Sequence, residues 1–310
     1  GVAGGATAAA RLRRLDESAE IILLEKGPNV SFANCGLPYY VGGVIENRED
    51  LLVMSPEKFH GLFAIDVRVE SEVIHVDTQT KTLTIKTAEK NYEENYDALL
   101  LSPGAQPLRP PIPGIDQENI VSLRNVPDAD RLFALVQQHK VQGKAVVVGG
   151  GFIGVEVAEN LRTRGLDVTI VEAAPHILAP FDTDMIGQAE AELRQHGIRL
   201  ILQDGVKEFQ RQADGSVEVL LSDGQSLPAD FVVLAIGVRP DTAFLQDSGI
   251  ERTERGHILV DAFMQTSAPG VYAVGDAVMT TDHQTGSRMA LPLAGPANRQ
   301  GRLAADNIAG

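Results

Sequence analysis

The chain of 310 residues has one cysteine, a shortage of basic residues and no long apolar run. A lone thiol, Cys35, excludes an intrachain disulfide and fits a reducing compartment, so a cytoplasmic location is expected. Lysine and arginine number 27 against 42 aspartate and glutamate, giving a net charge of −15. Without a basic field to draw phosphates in, no nucleic-acid partner is expected. The longest apolar runs, such as "FVVLAIGV", fall far short of a bilayer span, so no membrane partner is expected either. No signal peptide is visible, and Asp16 and Glu17 directly after Arg11, Arg13 and Arg14 argue against a transit peptide. No metal site is expected. An initial Met is missing and no strand precedes the first glycines, so the chain reads as a fragment trimmed at both ends.

What is present is a globular composition, 44% hydrophobic, long enough for two domains. One grammar occurs twice: a glycine-rich turn, a helix, then a strand ending in Glu. The first copy is "GVAGGATAAARLRRL" followed by "IILLEK", and its leading strand is missing. The second is "KAVVVGGGFIGVEVAENLRTRG" followed by "DVTIVEA". There "AVVV" reads as a buried parallel strand. A helix over 152–164 is expected to bury Ile153, Val157 and Leu161, with Gly165 ending it. Alternating segments lie between the copies, "EVIHVD" and "KTLTIK" joined by a hairpin turn at "DTQT". After the second copy come a helix near 183–196 closed by Gly197, a turn at Asp223-Gly224, and the strand "DFVVLAIG". The order suggests a doubly wound domain interrupted by another: residues 1–112, an insert over 113–245, and a return over 246–310.

The glycines carry the first chemical signal. Gly149, Gly151 and Gly154 fit G-x-G-x-x-G with a strand before, a helix after and an acid closing the next strand. Gly149 allows the tight turn, Gly151 lets backbone approach a pyrophosphate, and Gly154 permits close helix–strand packing. The phosphates would meet the unpaired N–H groups at the helix N-terminus. Glu172 would take the adenosine ribose hydroxyls and repel a 2′-phosphate, so NADH is expected and NADPH is disfavoured. A glycine turn can also merely fit a strand-to-helix corner, but the full context favours binding. The first copy is thinner: Gly1, Gly4 and Gly5, with Val2 where a middle glycine would stand and Glu25 at the spacing of a ribose-binding acid. Asp276 in "GVYAVGDA" ends a strand at the edge where such sheets bind ligands, the rival reading being a helix N-cap.

The second signal is Cys35 in "SFANCGLPYY". A free cysteine is commonly a small buried hydrophobe. Here small and polar residues precede it, and Gly36 and Pro38 follow. Pro favours a first helical turn, so the thiol is placed at a helix start, where the dipole favours the thiolate. Position 40 is Tyr40, so no internal redox pair exists. Any disulfide must form with a ligand or another chain, or else the sulfur cycles through a sulfenate or persulfide.

Together "SFANCGLPYY", "GGGFIGVE", "GVYAVGDA", "LSPGAQP" and "LPLAGPANRQGR" resemble the FAD/NAD-dependent pyridine nucleotide-disulfide oxidoreductases. The likeness is to their single-cysteine branch, nearest to coenzyme A-disulfide reductases and NADH-dependent persulfide reductases, which often carry a C-terminal rhodanese domain. The resemblance implies an α/β fold with two Rossmann-like domains, the NAD domain inserted in the FAD domain. It implies that Gly1, Ala3, Gly4, Gly5, Glu25 and Lys26 hold the ADP half of FAD. Ser102 and Gly104 would lie beside the flavin, Asp276 on the ribitol, and Pro292 before the helix opened by "GPAN". Gly149, Gly151, Ile153, Gly154, Glu156, Glu172 and Gly237 would line the NAD site. Arg11, Arg14, Ser31, Asn34, Arg68 and Asn298 would meet the CoA substrate. The implied activity is reduction of CoA disulfide or persulfide by way of a mixed disulfide between Cys35 and CoA. The family's C-terminal interface domain, which makes the homodimer, is missing from this sequence. Two alternatives stand beside this: an NADH oxidase or peroxidase using a Cys35 sulfenate, and a redox-sensing flavoprotein with a partner-binding role.

Overall fold

The computed structural model describes residues 1–139 and 142–310, which fall into two compact units. The first comprises Gly1–Phe32, Leu52–Gln106 and Arg239–Gly310; the second comprises Ala33–Leu51 and Pro107–Val238. The helices in chain order are α1 (Val2–Leu15), α2 (Leu37–Gly42), α3 (Pro56–Phe63), α4 (Val126–Gln138), α5 (Phe152–Thr163), α6 (Thr183–Gln195) and α7 (Ala294–Ala309).

The second unit holds a five-stranded parallel sheet. Its order across the sheet is Ile120–Val121, Phe231–Leu234, Lys144–Val148, Asp167–Glu172, Arg199–Leu202. The central strands are runs of β-branched and aliphatic residues because helices and a second sheet cover both faces. Alternation of period two sorts them: Val146, Val148, Val171, Val232 and Leu234 share a core with Phe209, Val217, Val219 and Leu221 of the antiparallel sheet over 206–229. Each such side chain contributes about 1.5–3 kcal/mol on burial. Helix α5 starts at the glycine turn, as expected, and ends where Gly165 takes φ +89°. One expectation is corrected. The buried face of α5 is Gly154, Val157, Ala158, Asn160 and Leu161, whereas Ile153 is 40% exposed. Gly154 occupies the place of close approach to the sheet, which turns Ile153 outward.

In the first unit, α1 packs along α7. Gly301 allows this, because a Cβ there would lie 2.5 Å from the carbonyl oxygen of Gly4. The parallel strands form three separate pairs, Ile22–Leu24 with Asp66–Arg68, Leu99–Leu101 with Val271–Ala273, and Ile258–Leu259 with Val278–Thr281. No strand among the described residues bridges the pairs into one doubly wound sheet. The hairpin between Glu72–Asp77 and Thr82–Lys86 turns where expected, with Asp77 accepting from the backbone N–H groups of Gln79 and Thr80. The apolar core of this hairpin, Val76, Leu83 and Ile85, joins Leu101, Val271 and Ala273. Among the described residues no helix is long and apolar enough to cross a membrane.

Candidate functional site

The second unit contains the dinucleotide-type turn. Gly149 sits at φ +107°, a region open to glycine, and a Cβ there would overlap the Ala235 carbonyl. A Cβ on Gly154 would overlap the Gly149 carbonyl oxygen. Gly151, the N-cap of α5, is different: a Cβ there would meet nothing within 4 Å. Two glycines are therefore demanded by backbone packing, while the third leaves bare backbone at a helix N-terminus, where an anion gains from free N–H groups. Glu172 ends its strand and reaches back to this turn, accepting from Gly150 N–H at 2.6 Å and from Ala174 N–H at 2.7 Å. Gly237 takes φ +105° two residues beyond Ala235, and its carbonyl accepts from Leu108 N–H. These features fit the pyrophosphate and ribose of NAD. Glu156 lies in the second turn of α5, where burial, then the neighbouring Glu159 carboxylate, pushes its carboxyl up from the ordinary range.

The thiol lies in the same unit. Cys35 is exposed, so the buried-hydrophobe reading falls. It occupies a single 3₁₀ turn, Asn34–Gly36, immediately before α2, rather than the first turn of α2 itself. Pro38 does stand in the first turn of α2, as its fixed φ favours. Gly36 is packed between Ala33, Ile45 and Leu51, and a Cβ there would meet each at 3.1–3.2 Å.

Several residues that sequence reasoning missed hold this segment. Tyr40 stacks on Phe133 of α4, with centroids 5.0 Å apart and planes 18° off parallel. Arg48 Nε donates to both carboxylate oxygens of Asp130, at 3.0 and 2.8 Å, and the Tyr40 hydroxyl donates to the same group at 3.4 Å. Burial, then the Asp130 carboxylate, pushes the Tyr40 phenol up. A Cβ on Gly42 would overlap Asn160 Oδ1 of α5, and Arg164 Nε donates to the Val41 carbonyl at 3.1 Å. A polar stripe on α5 was the available signal: Glu156, Asn160 and Arg164 recur every fourth residue.

The residues expected at the flavin and the CoA group sit in the first unit, except Asn34. Gly5 N–H donates to Ser102 Oγ at 3.0 Å, and a Cβ on Gly4 would press on Val274 at 2.9 Å. This leaves the start of α1 as close-packed backbone; Ala3 is in its first turn and Gly1 caps it. Glu25 follows its strand and accepts from Gly27 N–H at 2.9 Å. Lys26 pairs with Asp241, whose N–H donates to the Gly104 carbonyl. Asp276 is in a 3₁₀ turn that leads into the strand Val278–Thr281, so no helix follows for it to cap. Pro292 is exposed just before α7, and Asn298 Oδ1 accepts from Thr7 at 2.6 Å. The glycine-rich start of α1, Glu25 after the first strand and the Asp276 carboxylate in the turn that follows Val271–Ala273 fit a bound FAD.

The arginines are not drawn into one cluster. Arg11 pairs with Asp306 at 2.7 Å, and Arg14 is exposed. Arg68 pairs with Asp66 and Glu94 at 2.8 and 2.6 Å. Burial works against the charge on Arg68, but hydrogen bonds to Tyr92, Glu94 and Asp66 outweigh it and hold the proton more tightly than usual. Ser31 lies in a short strand paired with Met54. Asn34 lies in the thiol turn. Among the described residues no group of His, Cys, Asp and Glu is placed to hold a metal ion.

A family profile described as pyridine nucleotide-disulphide oxidoreductase matches residues 1–301. The chain superposes on reduced Bacillus anthracis CoADR-RHD with a TM-score of 0.95 at 47% identity, covering 100% of this chain and 56% of that one. It superposes on an NAD-dependent persulfide reductase from A. fulgidus with a TM-score of 0.95 at 36% identity, covering 100% of this chain and 58% of that one. Two curated relatives are each 34% identical. They are the coenzyme A disulfide reductase of Staphylococcus haemolyticus (100% of this chain, 69% of that protein) and the NADH oxidase of Methanocaldococcus jannaschii (99% and 68%). The chain thus spans less than two thirds of the two solved relatives.

Proposed function

The chain belongs to the pyridine nucleotide-disulphide oxidoreductase family, and from that premise we propose that it carries electrons from NADH through FAD to Cys35, which reduces CoA disulfide or a related persulfide. The observation that carries this reading is the exposure of the chain's sole thiol, in a turn held by packing on both sides. A solitary accessible sulfur can form a disulfide only with a sulfur from outside the chain.

Bound FAD would supply the exchange of a hydride for an electron pair that a disulfide of Cys35 can accept. The chain's own residues do the rest. Gly151 leaves room for the NADH pyrophosphate, and the Glu172 carboxylate favours a free ribose over a phosphorylated one. Gly4, Gly5, Ser102, Glu25 and Asp276 would bind and orient FAD. Cys35 Sγ, as thiolate, attacks one sulfur of the substrate disulfide. The S–S bond breaks, a bond from Sγ to the retained sulfur forms, and the first CoA leaves as thiolate and takes a proton from water. An electron pair then cleaves the mixed disulfide, which restores the Cys35 thiolate and releases the second CoA. The sum is NADH, a proton and CoA disulfide giving NAD⁺ and two CoA thiols. A persulfide gives one thiol and sulfide.

A second reading, NADH oxidase chemistry with a Cys35 sulfenate, is supported by the equal identity to the M. jannaschii relative. Here peroxide oxidises the thiolate, one oxygen stays on Sγ and the other leaves as water. We place it second because "NCGLPYY" resembles the disulfide-reducing branch. Steady-state NADH consumption against CoA disulfide, CoA persulfide, peroxide and oxygen tests both. The first reading expects the sulfur substrates to exceed oxygen and peroxide in kcat/KM. Oxygen or peroxide in the lead would install the second. The proposed compartment is the cytoplasm, and the proposed assembly of the full-length protein is a homodimer.

A further inference from the structure

The thiol segment and the dinucleotide turn share one rod. Helix α5, with Gly151 as its N-cap, runs 12 residues, about 18 Å, to Thr163, and Arg164 is its C-cap. Helix α2, which follows the thiol, has only six residues. A helix that short has no stability of its own, so outside contacts decide where it lies. Three of those contacts involve one side chain, Arg164. The Arg164 guanidinium donates to the Val41 carbonyl, one of the last carbonyls of α2 that the helix leaves unsatisfied. It lies directly on Gly43, which takes φ +81° and whose Cβ would come 2.5 Å from it. It also sits over the ring of Phe133, 5.6 Å from the centroid, and Phe133 stacks on Tyr40 of α2. One turn back on α5, Asn160 fills the space that Gly42 leaves open.

We infer that Arg164 is a positioning residue for Cys35: it fixes the C-terminal end of α2 to the helix that opens at the dinucleotide turn, and so sets where the thiol stands. The inference rests on Cys35 being the redox thiol. A planar guanidinium donates along its edge while it stacks by its face, and an ammonium cannot do both at once. Arg164→Met therefore frees α2, and Arg164→Lys restores only part of the hold.

The test compares amide exchange and two electron outlets in the holoenzyme. In Arg164→Met, exchange over 37–45 should quicken by about tenfold, with the strands 144–148 and 167–172 unchanged. NADH-driven reduction of CoA disulfide should fall about tenfold in kcat with KM for NADH within about twofold, as loss of a positioning contact predicts. NADH-driven reduction of a dye that bypasses the thiol should stay within about twofold of the parent protein. Arg164→Lys should fall between the two, at a deficit of about threefold. Unaltered exchange over 37–45 overturns the inference. So does faster exchange across the whole of 107–238 with both activities falling together, which marks a purely structural residue. Cys35→Ser run in parallel separates the two claims. If that variant still reduces CoA disulfide, the thiol reading fails, whereas the exchange result alone decides whether Arg164 holds α2.

Discussion

The turn at 149–154 and the thiol segment at 33–51 are both shaped by glycine, for opposite reasons. In the turn, Gly149 and Gly154 are dictated by neighbouring backbone, and Gly151 faces open space. In the thiol segment, Gly42 and Gly43 face two side chains of α5 that arrive where a Cβ would be. One absence of side chain leaves bare backbone facing open space, and the other makes room for the protein's own polar groups. The comparison separates glycines whose replacement damages the fold from glycines whose replacement damages only binding or placement.

The largest effect expected is at the thiol itself. Cys35→Ser should lower NADH-driven reduction of CoA disulfide by at least about a thousandfold, because the bond-forming atom is gone. Its stability should stay within about 0.5 kcal/mol in urea melts, since the side chain is exposed. A matching loss of stability would put Cys35 back in the core and erase the contrast. Gly154→Ala should cost at least about 3 kcal/mol, because the added Cβ meets backbone that has no rotamer to escape into. A neutral result in the same melts would break the claim that this glycine is structural.

Gly151→Ala sharpens the comparison from the other side. Its φ of −75° suits any residue and its Cβ meets nothing, so stability should change by less than about 0.5 kcal/mol. NADH affinity should nonetheless fall about tenfold in a titration, as a methyl enters the pyrophosphate space. Unchanged affinity would show that no phosphate visits this backbone. The smallest effect concerns Glu156, whose carboxyl is pushed up, first by burial, from an ordinary value of 4.5. The folded state then holds its proton more tightly than the unfolded chain, so this group's contribution to stability falls as pH rises above that ordinary value. Glu156→Gln should flatten that decline and raise stability slightly at neutral pH. A variant whose pH profile overlays the parent's would remove burial as the cause.

Those two regions also mark what the sequence discloses. The glycine turn was legible because strand, turn, helix and acid are local, and each follows from short-range geometry. The hairpin at Asp77–Lys81 and the helix stop at Gly165 were legible for the same reason. Ile153 was misread, because apolar periodicity assigns a face to α5 without knowing that Gly154 makes the close approach. The role of Gly42 and Gly43 was not legible, because Asn160 and Arg164 lie far along the chain. Nor did the separation of the first unit's parallel strands into three pairs show in the sequence, which displays strands but not which ones share hydrogen bonds.

The central claim is that Cys35 works by bonding to a sulfur from outside the chain. Intact-mass analysis after mixing NADH-reduced protein with CoA disulfide tests it most directly. The account predicts a single CoA adduct on Cys35 that disappears when more NADH is added. Protein that gains only one oxygen, or that stays unmodified while NADH is consumed, would contradict it.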